Sequence, residues 1–158
     1  MKKYSVPKNF NSSIGYNSLD NYQSLWKNAE QDSNSYWESV AERIDWFDKW
    51  TTVNNTDYSK AHIEWFSNGK LNASYNCIDR HIENGLGEKT ALIWQSNDPT
   101  ISKNVTYNEL LEKVSLFANG LKRAGIKKGD RVCIYMQMIP EAIVCLLYTS
   151  PSPRDALE

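Results

Sequence analysis

The segment from Thr106 to Gly125 carries signals for both ends of one helix. Thr106 and Glu109 have the spacing of a capping box, in which each side chain accepts a hydrogen bond from the backbone N–H of the other residue. Gly125 suits the left-handed turn that ends a helix. Between them, one apolar face recurs at three-and-four spacing: Leu110, Val114, Phe117, Ala118 and Leu121. This helix is the most strongly specified element in the chain.

The residues after this helix predict the beginning of a layered fold. Val132–Met136 is a continuous apolar run, and its lack of alternation predicts a strand buried on both faces, as in parallel sheets. Pro140 suits the first turn of a further helix. Helix, strand and helix in this order predict an α/β domain that has only begun.

The residues before the capped helix predict a helix and a hairpin. LNASYNCIDRHIENGLGEK predicts about three helical turns that end near Asn84, with Gly85 at the C-terminal cap. TALIWQ, residues 90–95, predicts a strand, and Asn104 and Val105 a second extended stretch that completes a small hairpin.

The first part of the chain differs in composition and in the spacing of its apolar residues. Ser18 is a candidate N-cap for an amphipathic helix over Leu19–Glu30, and Ser33 is a candidate cap for a second helix that reaches Ile44. Trp46–Lys70 is aromatic and rich in Asn, Thr and Asp without a long period. That composition predicts an extended arm pinned to a surface by its rings.

Charge and composition exclude several classes of protein. Lys plus Arg number 18 against 19 Asp plus Glu, a net charge of −1 that disfavours binding to nucleic acid or an anionic membrane. No apolar stretch reaches the roughly 20 residues that a membrane span requires, and MKKYSVPKNFNSS lacks a secretory apolar segment. Three cysteines (Cys77, Cys133 and Cys145), without paired metal spacing, predict reduced thiols and a cytoplasmic protein.

Individual site candidates have structural explanations. His62 lies in the aromatic arm and His81 in a helix, and we interpret His81 as a packing residue because no nucleophile or activating partner accompanies it. Lys127 and Lys128 could meet a phosphate, but without a glycine-rich cradle they predict a solvated turn. Glycine-rich phosphate loops, dinucleotide fingerprints and Gly-flanked serine nucleophiles are absent from the sequence.

The tryptophans allow two interpretations. Six tryptophans in a chain of this length would suit a stacking platform for sugars or single-stranded nucleic acid. Their helical spacing and their place in the arm instead favour burial against a core. The six are Trp26, Trp37, Trp46, Trp50, Trp65 and Trp94, and we expect burial for most of them. An aromatic carbohydrate-binding module would instead need exposed, coplanar rings.

Several stretches resemble one enzyme family. WFSNGKLNASYNCIDRHI, KTALIW, VTYNELLEKVSLFANGLKRAGIKKGDRVCIYM and MIPEA are similar to the acetyl-CoA synthetase family of AMP-forming acyl-CoA ligases. YQSLWKNAEQDSNSYWESVA and WFDKW are similar to the N-terminal extension of that family, so the resemblance spans residues 17–144. It implies an α/β fold: the truncated start of the large N-terminal domain of an acyl-adenylate-forming ligase, preceded by a helical and aromatic N-terminal extension.

The resemblance implies a reaction for the full-length enzyme. Such enzymes use ATP, CoA and Mg²⁺ to convert acetate to acetyl-CoA through acetyl-adenylate, with release of pyrophosphate and AMP. The family's phosphate loop, acyl-pocket tryptophan and C-terminal lysine have no matching positions here. We therefore expect no cofactor bound to this chain and assign no catalytic, cofactor-binding or metal residue. Asn72, Arg80 and Lys128 lie in matched stretches, but no role transfers to them.

Alternatives remain open within this resemblance. A propionate-CoA ligase fragment would share most of the same motifs. A non-catalytic interaction module derived from such a ligase, which binds a full-length synthetase, would keep the extension without the chemistry. None of these alternatives calls for nucleic acid or a membrane as partner.

The last residues, CLLYTSPSPRDALE, depart from the pattern. Cys145 to Asp155 match a translated sequencing adapter, so we expect the ligase sequence to be truncated at Val144 and the tail to lack fixed tertiary contacts. The predicted organisation is a flexible N-terminus (1–16), a synthetase-type extension (17–70), the truncated beginning of the AMP-binding α/β domain (71–144) and an artefactual tail (145–158).

Overall fold

The computed structural model describes residues 18–127 and 129–149. The chain divides into two compact units, Met1–Gly69 and Lys70–Glu158. The predicted flexible N-terminus over 1–16, Lys128 and the last part of the predicted tail lie outside the described residues.

The first unit begins with two capped helices. The Ser18 hydroxyl accepts from the Asn21 N–H at 3.1 Å and starts α1, Leu19–Gln31, which confirms the predicted cap. The second helix, α2, covers Ser33–Ala41, and its cap is Asp32, whose carboxylate accepts from the Ser35 N–H at 3.0 Å. Ser33 as a cap was therefore wrong, because a carboxylate one residue earlier takes the free amide. This amide also lowers the pKa of Asp32 from its ordinary value.

The aromatic arm pairs with itself. Strand β1, Thr52–Asn54, runs antiparallel to β2, Trp65–Ser67. Asp57 caps a short 3₁₀ turn over Tyr58–Lys60 between the strands. The arm is therefore not the single extended segment that was predicted, because it folds back on itself and pairs its own strands.

The predicted three-turn helix in the second unit is divided. Asn72 caps α3, Ala73–Cys77, and α4 resumes at Asp79–His81. Ile78 between them has φ −127° and ψ −68°, outside the helical region, and its side chain is completely buried. Burial of the Ile78 side chain in the core thus interrupts the helix that the apolar spacing predicts. A wide turn over Ile82–Leu86 follows, and Gly85 within it has φ 77°, as expected for the glycine that stops a helix.

The predicted hairpin and capped helix are both present. Strands β3, Thr90–Gln95, and β4, Ser102–Thr106, are antiparallel. Helix α5, Tyr107–Arg123, starts at a complete capping box: the Glu109 N–H donates to Thr106 Oγ1 at 3.2 Å and the Thr106 N–H to Glu109 Oε2 at 2.9 Å. Gly125, just beyond the helix, has φ 86°.

One apolar core holds the second unit together. Helix α6, Pro140–Thr149, contributes Val144 to it, and the proline start of α6 is confirmed. The buried residues of this core are Ile78, Val105, Leu110, Val114 and Val144.

The predicted loss of tertiary contacts from Cys145 onwards was wrong for the described part of the tail. Cys145 is buried, Leu147 packs on the core, and the Tyr148 ring lies 5.8 Å from that of Phe117. Val144, Leu147 and Tyr148 are three and four residues apart, so they continue the apolar face of α6.

The predicted strand over Val132–Met136 was also wrong. The two sheets in the described residues have two strands each, in the orders β1-β2 and β3-β4, and neither includes this run. Tyr135 is 98% exposed. A strand buried on both faces needs neighbouring strands and covering layers, which the described residues do not provide. The chain is nevertheless α/β in composition, with helices and small antiparallel sheets. None of its described helices has the length and apolarity to cross a membrane.

Replacing Thr106 with alanine should weaken the second unit. The change removes the hydroxyl that accepts from Glu109 and should lower the free energy of unfolding by about 1 kcal/mol. Urea denaturation followed by circular dichroism measures it. Glu112→Ala, at an exposed site on the same helix, is the control and should not destabilise the unit; a loss near zero for Thr106→Ala would show that the cap contributes nothing.

Candidate functional site

The first unit contains an open apolar cleft of about 360 Å³. Its walls come from the second half of α2, the turn that follows, and β2. The lining residues of this aromatic cleft are Trp37, Val40, Ala41, Arg43, Ile44, Trp46 and Phe66. Arg43 is the one cation in this lining. Phosphate chemistry requires several convergent donors, so the lining is better suited to contact with an apolar surface.

Ring packing shapes the cleft. Trp46 Nε1 donates to the Ala41 carbonyl at 2.9 Å, which ties the ring to the end of α2. The Trp46 ring lies 4.9 Å from that of Trp50 and 5.4 Å from that of Phe66, while Trp50 and Phe66 are 5.1 Å apart. Tilted and edge-on pairs at such distances are the favoured arrangements of aromatic rings.

Two positions beside this cluster restrict the chain, Phe66 through its backbone angle and Gly69 through lack of space. Phe66 has φ 52°, the left-handed region that a non-glycine residue occupies at a cost of about 1–3 kcal/mol. Its contacts with Trp46 and Trp50 help to hold it there. At Gly69, an added Cβ would lie 2.6 Å from Trp46 Cζ3 and 2.9 Å from the Phe66 carbonyl oxygen. Only glycine therefore lets the Trp46 ring lie against this stretch of backbone.

The burial expected for most tryptophans was wrong. Trp26 is 62% exposed, Trp37 42% and Trp65 38%, and the other three are half-buried. The Trp37 and Trp65 rings meet at 73°, so this exposed pair does not form the coplanar platform that a sugar-binding module needs. Sequence reasoning missed the cleft, although the four-residue spacing of Trp46 and Trp50 was a signal that the two rings share one side.

The two histidines belong to different units, His62 to the first and His81 to the second. His62 Nε2 is 3.3 Å from Glu64 Oε2 on the surface of the first hairpin. The His81 ring packs against Tyr107, with centroids 4.9 Å apart, which agrees with its interpretation as a packing residue.

The residues in matched stretches have structural roles in the second unit. Asn72 is buried, and its side-chain oxygen accepts from the Tyr75 N–H at 2.8 Å, which caps α3. Arg80 Nη1 donates to Asn76 Oδ1 at 3.2 Å. The Lys127 N–H donates to the Asp130 carboxylate at 2.7 Å and closes the turn after α5.

Metal-type ligands do not converge in the part of the chain that is described: no three His, Cys, Asp or Glu side chains group together there. Cys77 and Cys133 are exposed, Cys145 is buried, and all three are free thiols.

The Glu64 carboxylate of the first hairpin is held by neighbouring side chains. Glu64 Oε2 accepts from Asn55 Nδ2 at 2.7 Å, and this hydrogen bond holds the pKa of Glu64 below its ordinary value of 4.5. The nearby His62 acts in the same direction. The interaction joins the two sides of the hairpin just beyond its strands.

Comparison with known proteins matches almost the whole described chain. The family model for the acetyl-coenzyme A synthetase N-terminus matches residues 22–77, and that for the AMP-binding enzyme matches residues 79–147.

Curated relatives agree with the family models. An acetyl-coenzyme A synthetase of Magnetococcus marinus is 48% identical over 151 residues, which cover 93% of this chain and 23% of the relative. Those of Leptospira biflexa (47% over 130 residues, 82% of this chain and 20% of the relative) and Rhizobium rhizogenes (49% over 127 residues, 80% and 19%) are similar. The chain thus spans about a fifth of the length of the curated relatives it matches.

Replacing Gly69 with alanine should disrupt the aromatic cluster. The new methyl group would displace the Trp46 ring, and we expect a loss of roughly 1 to 3 kcal/mol in the free energy of unfolding, as for an overpacked core. Urea denaturation followed by near-ultraviolet circular dichroism measures it. In a Trp46→Leu background the same alanine should cost less. An equal cost in both backgrounds would mean that Trp46 is not the group displaced.

The Glu64 carboxylate should make the first hairpin sensitive to acid. Because the pKa in the folded hairpin is below 4.5, the stabilisation is fully present above that pH and is lost as the pH falls through the folded pKa. NMR titration of the side-chain carboxyl should give a midpoint below 4.5. Asn55→Ala should move the midpoint upwards, whereas Asn28→Ala on α1 should not. A wild-type midpoint at or above the ordinary value contradicts this assignment.

Proposed function

The chain belongs to the acetyl-coenzyme A synthetase family, and on that premise we propose that it is the N-terminal part of an acetate–CoA ligase. In the whole protein, an acetate oxygen would attack the α-phosphorus of ATP and release pyrophosphate. The CoA thiol would then attack the carbonyl carbon of acetyl-adenylate and release AMP. Acetate is the small-molecule substrate in this proposal, and no nucleic acid or membrane takes part.

The order of the two matched regions carries this proposal. The synthetase N-terminus over residues 22–77 is followed at once by the AMP-binding region from residue 79. Relatives that are 42–49% identical to the chain are named acetyl-coenzyme A synthetase. Identity at this level over both regions supports acetate rather than propionate as the substrate of the whole protein.

We also propose limits for the parts of the chain, which differ by several residues from the matched regions 22–77 and 79–147. We assign residues 17–70 to the extension, 71–144 to the beginning of the AMP-binding region and 145–158 to a tail foreign to the ligase. The division of the two compact units after Gly69 supports the first of these limits. Leu147 and Tyr148 pack on the core because they continue the apolar face of α6, whatever their origin.

The chain's own residues supply structure rather than chemistry in this proposal. ATP, CoA and Mg²⁺ are assigned to the whole protein, where Mg²⁺ would neutralise phosphate charge. His81, Asn72 and Arg80 are engaged in packing, capping and hydrogen bonding within the second unit. Three free cysteines suit a reducing compartment, and we propose the cytoplasm.

The isolated chain should not catalyse acetate-dependent exchange of pyrophosphate into ATP. Adenylation needs phosphate donors, a metal ion and an aligned carboxylate, an arrangement worth many powers of ten in rate. The assay uses purified chain freed of the host synthetase, with an empty-vector preparation as background. Activity above that background would show that the chain carries catalytic groups we have not assigned.

Genomic sequencing across codon 144 supplies the matched control. Continued ligase sequence is expected there, and its full product should be active with acetate in the same assay. A stop codon soon after residue 158 would favour the non-catalytic interaction module instead, and a full product that prefers propionate would correct the substrate.

A further inference from the structure

Three asparagines of this chain are followed directly by glycine: Asn68, Asn84 and Asn119. Asparagine is thermolabile, because the backbone nitrogen of the next residue can attack its side-chain carbonyl carbon. A following glycine leaves that nitrogen unobstructed and mobile, since glycine has no Cβ. The two groups must still come together, so the local backbone decides which of the three pairs reacts.

The pair at Asn119 is held inside a helix. Asn119 and Gly120 both lie within α5, which continues to Arg123. Each backbone N–H of a helix donates to the carbonyl four residues earlier, and the Gly120 carbonyl accepts from the Ala124 N–H at 3.0 Å. Ring closure here would require the last turns of α5 to open.

The pair at Asn68 is held by the first hairpin. The Asn68 Nδ2 donates to Thr51 Oγ1 at 3.0 Å, and the Gly69 N–H donates to the Phe66 carbonyl at 2.9 Å. Gly69 also lies against the Trp46 ring, which leaves no room for a Cβ. The attacking nitrogen is therefore engaged, and its movement would disturb the aromatic cluster.

The pair at Asn84 lies in the wide turn where the helical segment ends. Gly85 has φ 77°, outside the helical region, and a Cβ built on it would meet nothing within 4 Å. Asn84 Nδ2 donates to the Arg80 carbonyl at 2.7 Å, and Asn84 is exposed, so water can replace that acceptor. Helix ends open at a lower free energy than helix interiors, so this pair reaches the reactive arrangement most easily.

We propose that Asn84 is a site at which this chain deamidates without an enzyme. The Gly85 nitrogen loses its proton to solvent and bonds to Asn84 Cγ, while the Cγ–Nδ2 bond breaks and the amide nitrogen leaves as ammonia. Water then opens the cyclic imide at either carbonyl carbon and gives an aspartate or an isoaspartate in place of Asn84. The order of reactivity depends on the backbone and hydrogen bonds around each pair, and not on the proposed ligase activity.

The modification would loosen the turn that it occurs in. A carboxylate cannot donate to the Arg80 carbonyl, and a negative charge at the C-terminal end of a helix is unfavourable. Isoaspartate would also lengthen the backbone just before Gly85, the residue that stops the helix. Ile82, in the same turn, packs against the core of the second unit, so the change would reach that core.

Trypsin separates the three pairs, because cleavage after Lys and Arg places them in peptides 61–70, 81–89 and 114–122. The purified full chain is incubated at mildly alkaline pH and 37 °C, and samples including one at zero time are digested and followed by mass spectrometry. Peptide 81–89 should gain the deamidated mass about tenfold or more faster than the other two, since their pairs open less readily. In urea the three peptides should convert at similar rates.

Two variants complete the test. Asn84→Gln should stop conversion in peptide 81–89, because the longer side chain closes a larger and less favourable ring, and should leave the other two peptides unchanged. Asn84→Asp should lower the urea midpoint measured by circular dichroism, whereas Asn97→Asp, at an exposed position in the turn between β3 and β4, should not.

Equal or faster conversion of Asn68 or Asn119 in the folded chain overturns the proposal. An Asn84 that remains intact in the folded chain after the chain in urea has converted also overturns it. An unchanged urea midpoint for Asn84→Asp would overturn the inferred effect on the turn.

Discussion

The capping box at Thr106 and Glu109 is the constraint on which the second unit depends. Thr106 is both the last residue of β4 and the cap of α5, so the chain changes from strand to helix without a loop. Val105, one residue before the cap, and Leu110, four residues after it, consequently enter the same core. Ile78 and Val144 complete that core from elements before and after α5. A local pair of hydrogen bonds thus fixes the direction from which a non-local core is assembled.

Features with local causes could be predicted from the sequence. The Ser18 cap, the capping box, the hairpin of β3 and β4, and the helix that begins at Pro140 each depend on a few neighbouring residues. The errors have non-local or competing causes. Ile78 leaves the helical region because its side chain fills the core. Asp32 displaces Ser33 as a cap because it lies one residue earlier, at the three-residue spacing from which its carboxylate accepts from the Ser35 N–H.

The apolar run Val132–Met136 illustrates the limit most clearly. Its composition indicates a buried strand, but burial is a property of what surrounds a segment, and the described residues provide no strand beside it. The aromatic cleft was missed for a similar reason. The spacing of Trp46 and Trp50 is visible in the sequence, whereas the contact of both rings with Phe66 depends on the hairpin that returns the chain from β1 to β2.

The position of Gly69 affects how this protein could have exchanged parts during evolution. Gly69 ends the first compact unit, and the Trp46 ring leaves no room for a side chain there. A recombination event that transferred the first unit to another protein would preserve its aromatic packing only if the crossover fell after Gly69. The packing of the Trp46 ring on Gly69 therefore determines where the first unit must end if its aromatic cluster is to be kept.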